Sequence, residues 1–403
     1  MYKKVQHMEN DIEKKAIFAL KANDVTLRLL AIIVLIGFIL RIFYSFYLGL
    51  PWFSTDTFSY FEMADGILFG KPISFFPNGY PLIVAGVKFF VGKERLPLAL
   101  IILNILLSSA IIPMSFLIAK KFLNTNQSLF AAFLVAIWPN QLNYVRQLLS
   151  EVPSTFFLVF AVYLTSRTRQ LFSVPAGALF FFSGMIRSTI FPVGWLSSFF
   201  LFVIGWKKKA FLLTLGLVIS LFASEALYRS EVIRPPSNLG DNLLLSISNS
   251  SEEGIDWASV KKFSDHERRA PYQSYISFAI SKPTTFTRQR LSAFWELWGP
   301  WPNSGDKDMP RPLMKRILIG IRFAAFLLAL FSAIKLRSNP YVILCSIPIV
   351  IITAIHTATF SGPRFTYTIE PLLLILTAAG FQDTYRFFGN ISRKFSKRIW
   401  SIS

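Results

Sequence analysis

The sequence predicts an all-α polytopic membrane protein, and three observations carry that prediction. Of its 403 residues, 53% are hydrophobic and only 16% are charged, whereas soluble domains carry roughly a quarter charged residues. The apolar residues fall in long runs, with phenylalanine strongly over-used at 42 residues. The net charge of +20 sits largely in short Lys/Arg clusters between those runs, where basic residues set membrane topology.

A helix that spans a bilayer needs roughly 20 apolar residues. Such runs, or near approaches to them, lie at 25–48, 97–119, 128–139, 152–166, 171–186, 188–205, 209–228, 316–334, 341–358 and 364–382. About ten transmembrane helices are therefore expected. The first run follows a polar segment, 1–24, and lacks a small-residue cleavage site, so it reads as a permanent anchor rather than a signal peptide. The runs at 128–139 and 152–166 are short, and suit tilted, kinked or polar-extended helices.

The basic clusters orient the chain. With Lys3, Lys4, Lys14, Lys15 and Lys21 in the cytoplasm, the turns on that side carry Lys120-Lys121, Arg167 with Arg169, Lys207-Lys208-Lys209, and Lys335 with Arg337. The tail, 383–403, adds Arg386, Arg393, Lys394, Lys397 and Arg398. By the positive-inside rule both termini are cytoplasmic; a plasma or inner membrane is the expected location. The first module then runs 25–228, with an external loop at 49–96. A short second external segment runs Asn140 to Glu151, a third external region spans 229–315, and the last helices lie within 316–382.

Two interfacial helices are expected in the first external loop, Phe58 to Phe69 and Tyr80 to Val91. The Pro77-Asn78-Gly79-Tyr80-Pro81 string between them is a turn. The region 229–315 is too small for a large independent domain and is expected to cap the membrane part. Within it, Tyr272 to Trp298 is amphipathic. Trp295, Trp298 and Trp301 read first as an interfacial aromatic belt and second as a sugar or isoprenoid platform.

Composition also excludes functions. A lone Cys345 cannot form a disulfide within the chain, and His7, His266 and His356 are too scattered for a zinc site. Basic residues dispersed between spans do not form a nucleic-acid face. What remains is a set of ionisable residues at the external ends of spans: Asp56, Arg146, Glu151, Arg187, His356, Arg364 and Glu370. Such groups at membrane depth face the protein interior or a water-filled cavity. An acid and several arginines on one face suit chemistry on an anionic lipid phosphate, since arginine binds phosphate in a fork and a carboxylate can deprotonate a hydroxyl.

Each residue also has a plainer role. Asp56 suits an N-cap for a helix beginning near Thr57. Glu151 suits a helix N-terminus, Arg187 can snorkel, and His356 can be a satisfied buried histidine. Glu62 and Asp65 read as a solvated helix face. Arg364 is the least easily explained, because a cation at a helix start opposes the macrodipole.

Several segments, in order along 25–382, resemble the membrane glycosyltransferases of the GT-C superfamily. Asp56 with Tyr60 and Ala64 is similar to that family's acidic first-loop motif. Pro77 to Pro81, with Tyr80, resembles its proline–tyrosine turn. Trp138-Pro139 through Arg146 to Glu151 is similar to its approach to the fourth span. Asn238 to Leu243 resembles a stretch after the seventh span, and Ile276 to Trp295, with Pro283 and Arg290, a helix of the large loop. His356, Arg364 and Glu370-Pro371 resemble its closing element. The nearest likeness is to the bacterial branch similar to dolichyl-phosphate-mannose protein mannosyltransferases and lipid A aminoarabinose transferases. Two positions depart from the pattern: Thr57 replaces a second acid, and Phe365 replaces a tyrosine after the arginine.

The resemblance implies a GT-C bundle and an inverting transfer from a polyprenyl-phosphate sugar to a lipid, protein or glycan acceptor. It implies Asp56 as the catalytic base, with Tyr60, Tyr80, Glu151, Arg187, Arg290, His356 and Arg364 binding substrate. No cofactor is required by it, and a divalent cation is compatible with it. Two other readings remain open at this point: a ligase or polymerase using a polyprenyl-diphosphate donor, and a transporter or flippase for lipid-linked saccharides. Transporters favour midplane polar groups and inverted repeats, neither of which the sequence displays.

Overall fold

The computed structural model describes residues 2–47, 53–73, 75–234, 236, 239–248, 264, 269–299, 312–359 and 361–381. The described residues are almost wholly helical. Helix α1 is Tyr2–Tyr47, α2 Thr55–Leu68, α3 Gly79–Ala119, α4 Thr125–Ile137 and α5 Pro139–Asn143. Then come α6 Glu151–Ser166, α7 Ser173–Ile186, α8 Phe191–Val203 and α9 Lys207–Arg229. The stretch after α9 supplies α10 Leu239–Ile247, α11 Pro271–Ser281 and α12 Pro283–Trp298. The chain re-enters the bundle as α13 Pro312–Lys335 and α14 Pro340–Ala358. A 3₁₀ segment, Pro363–Ile369, then leads into α15, 370–381.

All ten apolar runs are helical. Five helical stretches are long and apolar enough to cross a membrane: Asp24–Tyr47, Gly79–Ala119, Lys207–Arg229, Ile317–Lys335 and Pro340–Ala358. Four of the other runs form the shorter apolar helices Thr125–Ile137, Glu151–Ser166, Gln170–Ile186 and Ser188–Val203. Beside Val25, Leu27, Leu35 and Tyr47, the exposed apolar residues on α1 form one series, Leu29, Ile32, Ile36, Ile39, Phe43 and Phe46. Their spacing of three and four is one face of a helix, the face left for lipid. The main core brings together Phe116, Val135, Leu158, Phe180, Leu213 and Leu372 from inner helices.

A kink at Gly92 (φ 76°) divides α3 into a helix from Gly79 and the span that follows. That left-handed backbone is one that glycine tolerates and other residues rarely adopt. Two sequence expectations are corrected. The run at 364–382 does not begin as an α-helix: Gly362 is extended, and the 3₁₀ turn precedes α15. Asp56 is not a cap. Ser54 caps α2, in a capping box with Thr57, which places Asp56 in the first turn.

Basic residues gather at one end of the bundle. Lys209 Nζ donates to the carbonyls of Thr165 and Arg167 at the end of α6, and it feels the charge of Lys121. Trp206 packs edge-on against Tyr341, which follows the α13–α14 turn. The helix ends bearing Asp56, Glu151, Arg187 and His356 lie at the opposite end of their helices from these clusters. Residues 382–403, with the basic tail, lie outside the described residues, as do the side chains of the first 23 residues.

Candidate active site

The candidate site forms where five segments end together: the start of α2, the starts of α3 and α6, the end of α7, and the 3₁₀ turn after α14. Capping by Ser54 fixes the first turn of α2, so Asp56 projects from a defined position. Gly79 opens α3 against the last turn of α7. A β-carbon built there would lie 2.6 Å from the Ile186 nitrogen, so glycine is what lets Tyr80 and Arg187 approach. Tyr60 and Tyr80 meet edge to face with ring centroids 4.8 Å apart, inside a local apolar cluster with Leu96, Val145, Leu148 and Ile186.

Two ion pairs define the site. Arg364 Nη2 lies 3.2 Å from Asp56 Oδ2, with side chains 45% and 28% exposed. Arg187 Nη1 lies 2.9 Å from Glu151 Oε1, with side chains only 11% and 3% exposed. The outer pair is open to solvent and the inner one is sunk in the protein. Arg364 thus has its motive: the Asp56 carboxylate 308 positions away in sequence outweighs the unfavourable helix-start location.

Phe365 lies between these groups. His356 stacks on its ring at 4.2 Å and 16°. The Arg187 and Arg364 guanidiniums stand 5.5 Å and 5.2 Å from its centroid. Tyr60 Oη donates to Ser150 Oγ at 3.3 Å. Burial, followed by the nearby Glu151 carboxylate, raises the Tyr60 phenol above its ordinary range, so it stays protonated and able to donate. Two buried atoms, Glu151 Oε2 and Tyr80 Oη, have no hydrogen-bond partner among the described residues. Leaving such a group unmatched costs about 1–3 kcal/mol.

Seven of the eight sequence-predicted residues are therefore linked by these contacts: Asp56, Tyr60, Tyr80, Glu151, Arg187, His356 and Arg364. Arg290 is set apart on α12. Its guanidinium donates to the carbonyls of Ala358 (2.6 Å) and Thr359 (2.8 Å) at the end of α14 and to Ser246 on α10. A cation on a helix C-terminus is favoured by the macrodipole. Burial lowers its pKa, an effect offset in part by Tyr275 beside it. Glu62 is exposed, whereas Asp65 pairs with Lys88. Trp298 is neither belt nor platform: it is fully buried, stacked on Phe326, and donates to Thr353 Oγ1 at 3.1 Å. Trp295 is 45% exposed; Trp301 and Asn238 lie outside the described residues.

Sequence reasoning passed over Arg41, Arg322 and the size of the Glu370 network. Arg41 is fully buried in α1 and donates to Ser108 Oγ, Gly37 O, Ala136 O and Val135 O. Glu370 accepts from Asn140 Nδ2 (2.6 Å), Gln141 Nε2 (3.3 Å) and Thr366 Oγ1 (3.2 Å). The signal was present in sequence: an arginine within an apolar run must find partners.

A cavity of about 550 Å³ runs along α14 between α12, α13 and α15. Its walls are apolar, among them Phe294, Phe326, Ile349 and Leu376, and Arg290 is its one charged lining residue. The last turn of α14 joins cavity and ion-pair site: Thr357 and Ala358 line the cavity, while His356 stacks on Phe365. Among the described residues, no three His, Cys, Asp or Glu side chains group to hold a metal ion, and Arg364 already sits on Asp56. These donors do not make a protein-only metal centre.

No protein-family model and no curated protein matches the chain. Solved structures do. The apo oligosaccharyltransferase of Archaeoglobus fulgidus is 15% identical with a TM-score of 0.54, over 93% of this chain and 52% of that one. The same enzyme tethered through a disulfide to an acceptor peptide with the NVT sequon is 14% identical with a TM-score of 0.56, over 90% and 50%. The chain thus spans about half the length of the structures it matches. At this identity the likeness is one of fold alone.

Proposed function

We propose that this protein is an inverting membrane glycosyltransferase. It moves a sugar from a polyprenyl-phosphate donor to an acceptor hydroxyl at the outer face of the membrane, in the manner of the bacterial mannosyltransferase-like and aminoarabinose-transferase-like branch. The observation that carries this reading is the convergence of Asp56, Glu151, Arg187, His356 and Arg364 beside an apolar cavity. A carboxylate, two guanidiniums and a lipid-sized groove are the parts such a reaction needs. The cavity takes the first isoprene units of the donor's tail, with the rest left to the lipid, and burial of each methylene contributes about 0.8 kcal/mol.

The chemistry is a single displacement. The acceptor oxygen attacks the anomeric carbon, the bond from that carbon to the phosphate oxygen breaks, and polyprenyl phosphate leaves with the electron pair. Asp56 takes the acceptor's proton. Each arginine is matched by one carboxylate, so the site has no spare cation until an arginine changes partner. The exposed Arg364 is the one placed to do so: the donor phosphate competes for it, and a carboxylate is left beside the incoming hydroxyl. Arg187, held by the buried Glu151, keeps its position and stabilises the leaving charge. The unmatched Tyr80 Oη and Glu151 Oε2 are available to sugar or acceptor hydroxyls. Arg290 borders the cavity and contributes positive charge at its end.

The test uses membranes carrying the full chain and a labelled polyprenyl-phosphate sugar. Asp56→Asn is expected to lower the transfer rate by about 10²–10⁴, the usual share of a general base. Near wild-type transfer by a folded Asp56→Asn protein overturns the assignment. A second reading draws on the oligosaccharyltransferase neighbours: transfer of a glycan from a polyprenyl-diphosphate carrier. Mass spectrometry of co-purified lipid separates the two by phosphate count.

A further inference from the structure

Phe365 touches more of the site than any residue assigned a chemical role. Its ring is 8% exposed and meets His356 on α14, Arg187 at the end of α7, and Arg364, its own chain neighbour. The two guanidiniums belong to different ion pairs, one buried and one open. No hydrogen bond between those pairs is needed to hold them near each other, because both bear on one aromatic ring. Like charges repel, and two arginines at one site need a reason to stay together. The π-face supplies it: a guanidinium over a ring is favoured by about 0.5–2 kcal/mol, and the paired carboxylates cancel much of the repulsion.

We infer that Phe365 is a positioning residue for the donor phosphate. It fixes Arg187 and Arg364 relative to each other, and His356 fixes Phe365 from the end of α14. This rests on the reading of the site as a polyprenyl-phosphate transferase, and it adds a specificity element that carries no charge or hydrogen bond of its own. The 3₁₀ turn makes the arrangement stiff. Thr366, the next residue, donates to Glu370, which Asn140 and Gln141 also hold, so the backbone under Phe365 is tied to α5. The tyrosine expected here from the family resemblance has the same ring, which is the part this role requires.

The experiment measures binding of undecaprenyl phosphate to the purified full chain in nanodiscs, and then the KM and kcat of transfer. Phe365→Leu keeps an apolar side chain and removes the ring; Phe365→Tyr keeps the ring. The Leu variant is expected to bind undecaprenyl phosphate about tenfold more weakly, as loss of one or two cation–π contacts implies, with the transfer defect mainly in donor KM. The Tyr variant is expected within about threefold of wild type. If the Leu variant does not fold, Phe365→Met serves in its place. Wild-type affinity in the ring-less variant overturns the inference and leaves the functional reading intact. So does an equal loss in the Tyr variant. Failure of the wild-type chain to bind undecaprenyl phosphate, with or without one sugar attached, overturns the functional reading itself.

Discussion

At the scale of single residues, the two carboxylates of the site separate by burial. Glu151 is 3% exposed and pairs with an arginine that is 11% exposed. Removing one partner of a buried pair strands the other charge and costs about 3–5 kcal/mol. Asp56 pairs with Arg364 in a half-open setting, where an ion pair is worth about 0–1 kcal/mol. Glu151→Ala is therefore expected to lower thermal stability strongly, while Asp56→Ala leaves it within about 1 kcal/mol of wild type. Thermal unfolding of both variants in one detergent checks this, and equal losses would contradict the proposed division of labour. The same contrast explains what the sequence revealed. Asp56 and Arg364 stood out because each sat oddly, an acid by a span and a cation at a helix start. Their pairing was not legible, since it joins positions 308 apart. Arg41 and Arg322 went unnoticed because they lie deep in apolar runs, where only packing reveals their partners.

At the scale of elements, most boundaries followed from composition, and the failures have local causes. Apolar length identified the long helices. It could not show the backbone angle that kinks α3 at Gly92, or that Gly362-Pro363 delays α15 by a 3₁₀ turn. A backbone angle is a property of the folded chain, and glycine permits several. The positions that shape the site are of this kind. At Gly79 a β-carbon would meet the Ile186 backbone at 2.6 Å and the Met185 carbonyl carbon at 2.7 Å. Backbone cannot rotate away as a side chain can, so α3 and the end of α7 must separate. Tyr80 rides on one and Arg187 on the other. Gly79→Ala is expected to reduce transfer by at least tenfold while the chain stays folded, because a displacement of about 1 Å costs roughly 10²-fold in a positioned site. Circular dichroism with an activity assay checks it; undiminished transfer would show that this close approach does not set the site.

At the scale of the whole molecule, charge and chemistry occupy opposite ends. Lys121, Arg167 and Lys209 meet at one end of the bundle; Asp56, Glu151, Arg187, His356 and Arg364 meet at the other. The sequence made this legible before any coordinates, because every turn assigned to the cytoplasm was basic. That rule acts during insertion, on short loops, and needs no knowledge of packing. It also yields a prediction about orientation: the basic end in the cytoplasm and the ion-pair site on the other side. The native chain has one cysteine, Cys345, which is buried, so Cys345→Ser gives a clean background for testing it. In that background a cysteine at Glu62, exposed on α2, is expected to react with a membrane-impermeant maleimide added to intact cells. A cysteine at Lys208, in the basic first turn of α9, is expected to react only after the membrane is opened. The reverse pattern would place the ion-pair site in the cytoplasm. It would then overturn an extracytoplasmic reaction while leaving the transferase chemistry of the site to be tested on its own.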